Sequence, residues 1–291
     1  MEYFLEIAGV RLCIEIPETL SIGKAFLPFL TEPGTEDLRA EFCPVVRLRL
    51  PEGGEVFREN CLSICRGENG FVRCYYREPN VSQPYALVHP LAGKLRVEYL
   101  PSDRDCLREL GQCVGHLGLE GVLLRRERLC LHASCVSTPV GGLLFAGPSG
   151  IGKSTQARLW CRHGGGTQIN GDRPVLGKNG DEWRAWGSPY AGSSGIHVNE
   201  SCPVRAVMIL RQAPQCDLRR LEGAEAFRKL FACLTVNSWD PDFVNRACDL
   251  CLELSARVPV YEFACTPDIR AVEALKEELE RNESGWSPAY P

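Results

Sequence analysis

The 291-residue sequence lacks a long apolar run: no stretch approaches the ~18 residues that a helix needs to span a bilayer. Its first residues, MEYFLEIAGVRL, place Glu2 and Glu6 among apolar residues. They lack the basic and apolar regions that build a secretory signal. We therefore expect a cytoplasmic protein that binds no membrane.

The sequence also lacks an excess of positive charge, with a formal net charge of -4 and a pI near 5.8. Proteins that bind nucleic acids usually carry a basic stripe. The one dense basic run, LLRRERL at residues 123–129, is typical of a solvated turn or helix end. We therefore expect no nucleic-acid partner.

Cysteine is abundant, with sixteen residues, but the paired spacing of a zinc site is missing. Cys248 and Cys251 form one C-x-x-C, and zinc would require a second pair. The segment NRACDLCLEL around them reads as the middle of a helix, which favours packing of two small side chains on one helical face. Without an export signal, the thiols are expected to be reduced.

Two domains and a tail are predicted from the change in pattern along the chain. Residues 1–101 contain short alternating segments, such as EYFLEIAGVRLCIEI and CPVVRLRL, separated by Gly, Pro and Asn; they predict a β-rich domain, a meander or small sandwich. Ser102 is a good N-cap for a helix through Leu107, Leu110, Val114 and Leu117. Residues 102–282 then form an α/β domain, and 283–291 a disordered tail.

The central motif is a glycine loop that matches G-x-x-x-x-G-K-[ST] at every fixed position. Glycines allow positive φ angles and bring backbone N–H groups close to phosphate oxygens. A helix that starts near Lys153 directs its dipole at the same anion. Lys153 would contact the β- and γ-phosphates, and Ser154 would offer a hydroxyl to Mg²⁺. The predicted nucleotide-binding residues are Gly147, Pro148, Ser149, Gly150, Ile151, Gly152, Lys153, Ser154 and Thr155.

The surroundings of the loop argue against a chance match in a glycine-rich turn. LHASCVS and GGLLFAG flank the turn TPVGG and predict an antiparallel hairpin whose second strand leads into the loop. KSTQARLWCRH predicts a helix that stops at Gly164. A strand before and a helix after are the context that this motif requires.

An acid is also needed near the loop to bind magnesium and accept a proton. Asp172 ends the short predicted strand 167–170, and a helix followed by a returning strand would bring it to the edge of the sheet that carries the loop. The later apolar strand, Val204 to Leu210, ends in Arg211, which is not an acid. Asp172 is therefore our candidate; the alternative is a turn aspartate that pairs with Arg173.

LHASCV, GLLFAGPSGIGKST and INGDRPVL together resemble the core of the HPr kinase/phosphorylase group, which shares its fold with ATP-dependent phosphoenolpyruvate carboxykinase. The resemblance covers residues 128–212 and extends toward 275. It implies a P-loop kinase core of that type and a role for His132, on the strand before the loop. His132 would stabilise the γ-phosphate or orient Asp172; the alternative is a structural histidine.

The sequence departs from that group at two places. Gly171 stands where the first member of an acid pair is expected, and WGSPYAGSSGI, residues 186–196, replaces a longer glycine-containing segment. Phosphorolysis and HPr as the acceptor are therefore not predicted. The segment GSPYAGSSG would be a lid, an acceptor-side loop, or a plain turn.

These observations predict an ATP-dependent phosphotransferase that moves a γ-phosphate to a hydroxyl of a peptide, protein or small molecule. The predicted catalytic residues are Lys153, Asp172 and His132; Ser154 and Asp172 are the predicted Mg²⁺ ligands. A nucleotide-binding regulator with little turnover is the alternative, and a carboxykinase-like lyase ranks third. ATP is the expected donor, although the residues also accommodate GTP or pyrophosphate, and a homo-oligomer is left open.

Overall fold

The computed structural model describes residues 1–108 and 115–283 as a mixed α/β protein, as predicted. Its contacts divide the chain into two compact units. Unit 1 comprises Met1–Arg126 and Val236–Asn245, and unit 2 comprises Glu127–Thr235 and the chain from Arg246 onward. The predicted domain boundary at residues 101 and 102 stays a prediction. Of the tail predicted to be disordered, residues 284–291 lie outside the described residues.

Unit 1 is built on one eight-stranded sheet with the order β1-β2-β3-β8-β7-β6-β5-β4. The strands are β1 Glu2–Ile7, β2 Val10–Glu15, β3 Leu38–Pro44, β4 Glu55–Glu59, β5 Leu62–Gly67, β6 Gly70–Tyr75, β7 Ala86–Leu91 and β8 Lys94–Tyr99. Within the described residues of this unit, the 3-10 helices Lys24–Phe29 and Pro101–Asp103 and the short α-helices Asp105–Arg108 and Leu119–Arg125 accompany them.

The β-rich pattern of unit 1 matches the prediction in part. Ala8 and Gly9 have φ angles of 53° and 75° and join β1 to β2 in a two-residue turn, for which positive φ is required. Strands β4 to β8 form the predicted antiparallel meander, but β3 pairs in parallel with both β2 and β8. The strand predicted over Val46 to Leu50 is wrong: this stretch lies outside the strands, and Val46 is fully exposed.

The helix predicted from Ser102 differs at its start, where Ser102 lies within a 3-10 turn, and its middle, residues 109–114, lies outside the described residues. The chain makes a 3-10 turn, then the helix Asp105–Arg108, and a separate helix that begins at Leu119. Gly118 has φ 63°, a left-handed conformation that cannot belong to a continuous right-handed helix. Leu110 and Val114, which supported the prediction, lie outside the described residues.

Unit 2 holds a nine-stranded sheet with the order β12-β10-β11-β15-β14-β13-β9, in which β17 also pairs with β15 and β16. Its strands are β9 Arg128–Cys130, β10 Ala133–Thr138, β11 Gly141–Ala146, β12 Thr167–Asn170, β13 Val175–Asn179, β14 Glu182–Trp186, β15 Ser201–Gln212, β16 Asp217–Leu221 and β17 Val260–Cys265. Its helices are Lys153–His163, Gly223–Phe231 and Ile269–Glu283, with a 3-10 turn at Gly192–Ser194; a further helix, Pro241–Arg257, includes residues of both units.

The pairing of β10 with β11 and β12 determines which strand ends meet. β10 is antiparallel to both, with Ala133 opposite Ala146 and Cys135 opposite Asn170. The start of β10 therefore lies beside the ends of β11 and β12. β15 runs parallel to β11, with Ala146 opposite Ile209, so its end projects from the same edge. The predicted hairpin is confirmed, and so are the strands in LHASCVS and GGLLFAG that were predicted to flank its turn.

One face of this sheet is covered by two helices. Alternate residues of β11, β15 and β17 point to that face, because successive side chains of a strand lie on opposite sides. They pack with the helices Lys153–His163 and Ile269–Glu283 into a buried core that includes Leu143, Phe145, Ala157, Trp160, Met208, Phe263, Val272, Leu275 and Leu279. Burial of this apolar surface holds the helix behind the glycine loop against the sheet.

The N-cap of the helix Pro241–Arg257 agrees with the sequence pattern, whereas the N-cap of the helix Ile269–Glu283 differs from it. Asp240 accepts hydrogen bonds from the backbone N–H groups of Asp242 and Phe243, as expected of an N-cap. At the last helix, the pattern TPDIRAVEALKEELER predicts Thr266 as the N-cap. The helix instead begins at Ile269, and Asp268 accepts the bond from Arg270 N. Asp268 directly precedes the first helical residue, so its carboxylate takes the place that Thr266 was expected to fill.

The described cysteines Cys248 and Cys251 lie within the helix Pro241–Arg257, as predicted. Every cysteine within the described ranges is a free thiol. No helix within those same ranges is both long enough and apolar enough to cross a membrane.

We expect Gly164→Ala to destabilise unit 2 by about 1–3 kcal/mol, the usual cost of overpacking. A Cβ at Gly164 would lie 2.2 Å from Trp160 Cε3, and this indole is 2% exposed and has no room to move. Denaturant unfolding of Gly164→Ala, Trp160→Leu and the double variant measures the coupling. A cost for Gly164→Ala that is as large in the Trp160→Leu background as in the unaltered protein would contradict this explanation.

Candidate functional site

The glycine loop, Gly147 to Ser154, follows β11 directly and ends in the helix Lys153–His163. Gly147, Gly150 and Gly152 have φ angles of 144°, 79° and 116°, which only glycine adopts readily. Pro148, Ser149 and Gly150 are exposed at its tip. The strand, loop and helix thus occur in the order that the motif requires, and the helix ends at Gly164, where it was predicted to end.

The helix after the loop begins without a side-chain cap. Its first intrahelical bond runs from Gln156 N to Gly152 O at 3.0 Å. The N–H groups of Lys153, Ser154 and Thr155 precede that bond and point out of the helix end. Unsatisfied N–H groups together with the helix dipole attract anions, so this end can hold a phosphate.

Lys153 folds over the loop. Its Nζ donates to Gly147 O at 2.9 Å and to Pro148 O at 3.1 Å, and the residue is only 8% exposed. Burial lowers the pKa of Lys153 because it disfavours the charged ammonium; the charges of Asp172 and Cys233 oppose this effect. A buried cation beside the loop amides adds to their attraction for a polyphosphate.

Asp172 and His132 lie together at this edge of the sheet. His132 Nε2 is 3.3 Å from Asp172 Oδ1, and Arg173 Nε is 3.6 Å from Asp172 Oδ2. Asp172 therefore also makes the pairing with Arg173 that was the alternative to a catalytic role. His132 was expected on a strand; it lies instead at a bend one residue before β10. The backbone N–H of His132 donates to Cys233 O rather than to a neighbouring strand, and this bond explains the bend.

The charges of this cluster act on His132. Its pKa is lowered first by burial and then by Lys153 and Arg173, while Asp172 raises it. These effects identify Lys153, Asp172, Arg173 and His132 as electrostatic neighbours. Since the pKa lies below the usual value near 6.5, the imidazole is neutral at pH 7. A neutral ring can donate one hydrogen bond to the carboxylate without protonating it.

Two glycines allow the turn Gly192–Ser194 to pack against Asp172. A Cβ on Gly171 would lie 1.6 Å from Ser194 Oγ and 2.8 Å from Ala191 O. A Cβ on Gly192 would lie 2.7 Å from Asp172 Cβ. The acid missing at position 171 thus has a steric reason: any side chain there would collide with this turn. The segment GSPYAGSSG therefore forms a wall beside Asp172.

Sequence reasoning missed two residues of this edge. Gln212, the last residue of β15, donates from Nε2 to Gly150 O at 3.2 Å and to Ile151 O at 3.4 Å, and so tethers the loop. The parallel strand that ends beside the loop was a signal that could have found it. Cys233 lies near enough to Lys153 for their charges to interact, but no local pattern indicated it.

The oxygen donors at this edge are of the kind that Mg²⁺ prefers. Among residues 1–108 and 115–283, no group of three or more His, Cys, Asp or Glu side chains could hold a metal ion. Mg²⁺ is usually bound by one or two protein oxygens, with waters and substrate phosphates as the other ligands. The hydroxyl of Ser154 and the carboxylate of Asp172 are such oxygens.

Comparison with known proteins gives matches among solved structures. No family model matches the sequence, and neither does any curated protein. Among solved structures, the chain is similar to the Hpr(Ser) kinase/phosphatase from Coxiella burnetii, with 16% identity over 53% of this chain and 90% of that chain. The TM-score is 0.31. A similarity this low carries no argument about activity, so function is inferred below from the geometry.

We expect Asp172→Asn to lower the pKa of His132 further and Arg173→Gln to raise it. Asp172 raises this pKa and Arg173 lowers it, so removing each charge reverses its effect. NMR titration of the ring protons measures the shifts, and His132→Gln identifies the resonance among the five histidines. A pKa that is equal in all three proteins would show that these charges do not act on His132.

Proposed function

We propose that this protein is an ATP-dependent phosphotransferase that transfers the γ-phosphate to a hydroxyl group. One observation carries the proposal: Asp172 and His132 meet 3.3 Å apart at the edge of the sheet from which the glycine loop and Lys153 emerge. A carboxylate beside an anion-binding loop is the minimum that hydroxyl phosphorylation requires.

The loop would hold the polyphosphate. The N–H groups at the start of the helix Lys153–His163 bind its oxygens, and Lys153 offsets the charge that develops during transfer. Lys153 already donates to two loop carbonyls, so its ammonium is held in place before a nucleotide binds. ATP would supply the phosphoryl group, and Ser154 and Asp172 would hold the Mg²⁺ that offsets the charge of its phosphates.

Asp172 would accept the proton of the acceptor hydroxyl. Its Oδ1 faces His132, and its Oδ2 faces Arg173 at 3.6 Å. Neutral His132 can donate a hydrogen bond from Nε2, which orients the carboxylate. The adjoining segment GSPYAGSSG carries no charged side chain and offers small residues, which suits an acceptor-side wall.

We expect Lys153→Met and Asp172→Asn to reduce transfer for different reasons. Loss of a preorganised charge such as Lys153 costs about 10²–10³-fold in rate, and it should weaken nucleotide binding as well. Loss of the general base costs about 10²–10⁴-fold, while nucleotide affinity measured without Mg²⁺ should remain. Label from [γ-³²P]ATP is followed into polyols, hydroxyl-containing peptides and water, and affinity is measured by calorimetry.

Matched controls come from unit 2. Lys178→Met removes a lysine that pairs with Glu253 at 2.8 Å, and Asp181→Asn removes an exposed aspartate; both should behave like the unaltered protein. If Asp172→Asn weakens binding only when Mg²⁺ is present, Asp172 is also a metal ligand. Nucleotide binding without transfer to any acceptor, water included, would overturn the kinase and support a nucleotide-binding regulator.

A further inference from the structure

Asn170, the last residue of β12, has a completely buried side chain that is fully hydrogen-bonded. Its Oδ1 accepts from Asp172 N at 3.0 Å and Arg173 N at 2.8 Å. Its Nδ2 donates to Ser188 O at 3.0 Å, Ser188 Oγ at 3.3 Å and Tyr190 O at 3.2 Å. A buried amide with five contacts is held in one orientation.

The bonds from Oδ1 shape the turn that carries Asp172. An asparagine that accepts from the N–H groups two and three residues later closes an Asx turn. The carbonyl of Asp172 also accepts from Ala133 N at 2.9 Å, so both backbone polar groups of Asp172 are bonded. With its backbone held on both sides, the carboxylate of Asp172 is directed at His132.

The bonds from Nδ2 connect this turn to the wall segment. Ser188 is 1% exposed, and its Oγ donates to Arg173 O at 2.6 Å while accepting from Tyr190 N at 3.2 Å. Asn170 and Ser188 thus link the turn 170–173 to residues 188–190 through buried bonds. Because the wall packs against Asp172 at Gly192, one network positions the carboxylate and its surroundings.

We propose that Asn170 is a positioning residue that holds Asp172 in its working geometry, with Ser188 as its partner. The catalytic consequence rests on the proposed function of Asp172, whereas the hold on the turn does not. An amide is required because the site needs an acceptor for two N–H groups and a donor for carbonyls within one side chain. Aspartate lacks the donor, and serine offers only a shorter, weaker acceptor.

We expect Asn170→Ser to lower kcat by about 10²-fold, the cost of misplacing a reacting group by about 1 Å, while the Kd for nucleotide changes by less than about twofold, because the glycine loop is left intact. Hydrogen exchange measured by NMR should show that the amides of Asp172 and Arg173 lose protection. Asn237 is a buried asparagine in unit 1, and Asn237→Ser is the matched control. It should change neither kcat nor the protection of the Asp172 and Arg173 amides.

The two measurements separate this proposal from the proposed function. Unchanged exchange at both amides in Asn170→Ser would overturn the hold on the turn, whatever the activity. Lost protection with unchanged kcat, in a protein that Asp172→Asn inactivates, would overturn the positioning role alone. Full activity of Asp172→Asn would overturn the proposed function. Hydrogen exchange in Asn170→Ser would then still decide whether Asn170 holds the turn.

A second variant covers failure of Asn170→Ser to fold. Ser188→Ala removes the donor to Arg173 O together with the acceptor that Asn170 Nδ2 and Tyr190 N share, and its small change in volume suits a buried site. We expect a fall in kcat of the same kind but smaller, about tenfold, with nucleotide affinity retained. Unchanged kcat together with unchanged protection of the Arg173 amide would overturn the role of the network.

Discussion

The antiparallel pairing of β10 with β11 on one side and β12 on the other is the constraint on which the site depends. With Ala133 opposite Ala146 and Cys135 opposite Asn170, one strand start meets two strand ends. Each of these termini bears a polar feature: a histidine, a glycine loop and an aspartate. A slip of one residue would move every side chain of a strand to the opposite face. The register is secured by the apolar side chains that each strand buries.

Positive groups exceed negative groups at this edge of the sheet, which favours the binding of an anion. Lys153, Arg173 and the loop amides lie near the carboxylate of Asp172, and the ring of His132 is kept neutral. Lys153 is buried, so fewer water dipoles screen its interactions. An arrangement with more positive than negative groups suits a polyphosphate, and the one carboxylate is then available for a proton or a metal ion.

Close packing around Asp172 limits what can occupy the neighbouring positions. Gly171 and Gly192 have no space for a Cβ, because each already touches the turn or the acid that faces it. Asn170 supplies the polar counterpart of this packing, since its amide satisfies the backbone groups that the turn leaves unpaired. Steric fit and hydrogen bonding thus act on the same short segment, residues 170–172.

Local sequence was sufficient for the elements around the loop. Glycines at 147, 150 and 152, the apolar run before them and the stop at Gly164 are short-range signals, and the strand, loop and helix follow them. Features that depend on residues far apart in the sequence could not be predicted from local patterns. Residues 45–50 alternate like a strand yet lie outside every strand of the described chain, and Ser102 lies within a 3-10 turn instead of capping an α-helix. The contacts of Asp172 with His132 and Gly192, and the network of Asn170, join residues that are far apart in the sequence. Only the register of the folded sheet brings such positions together.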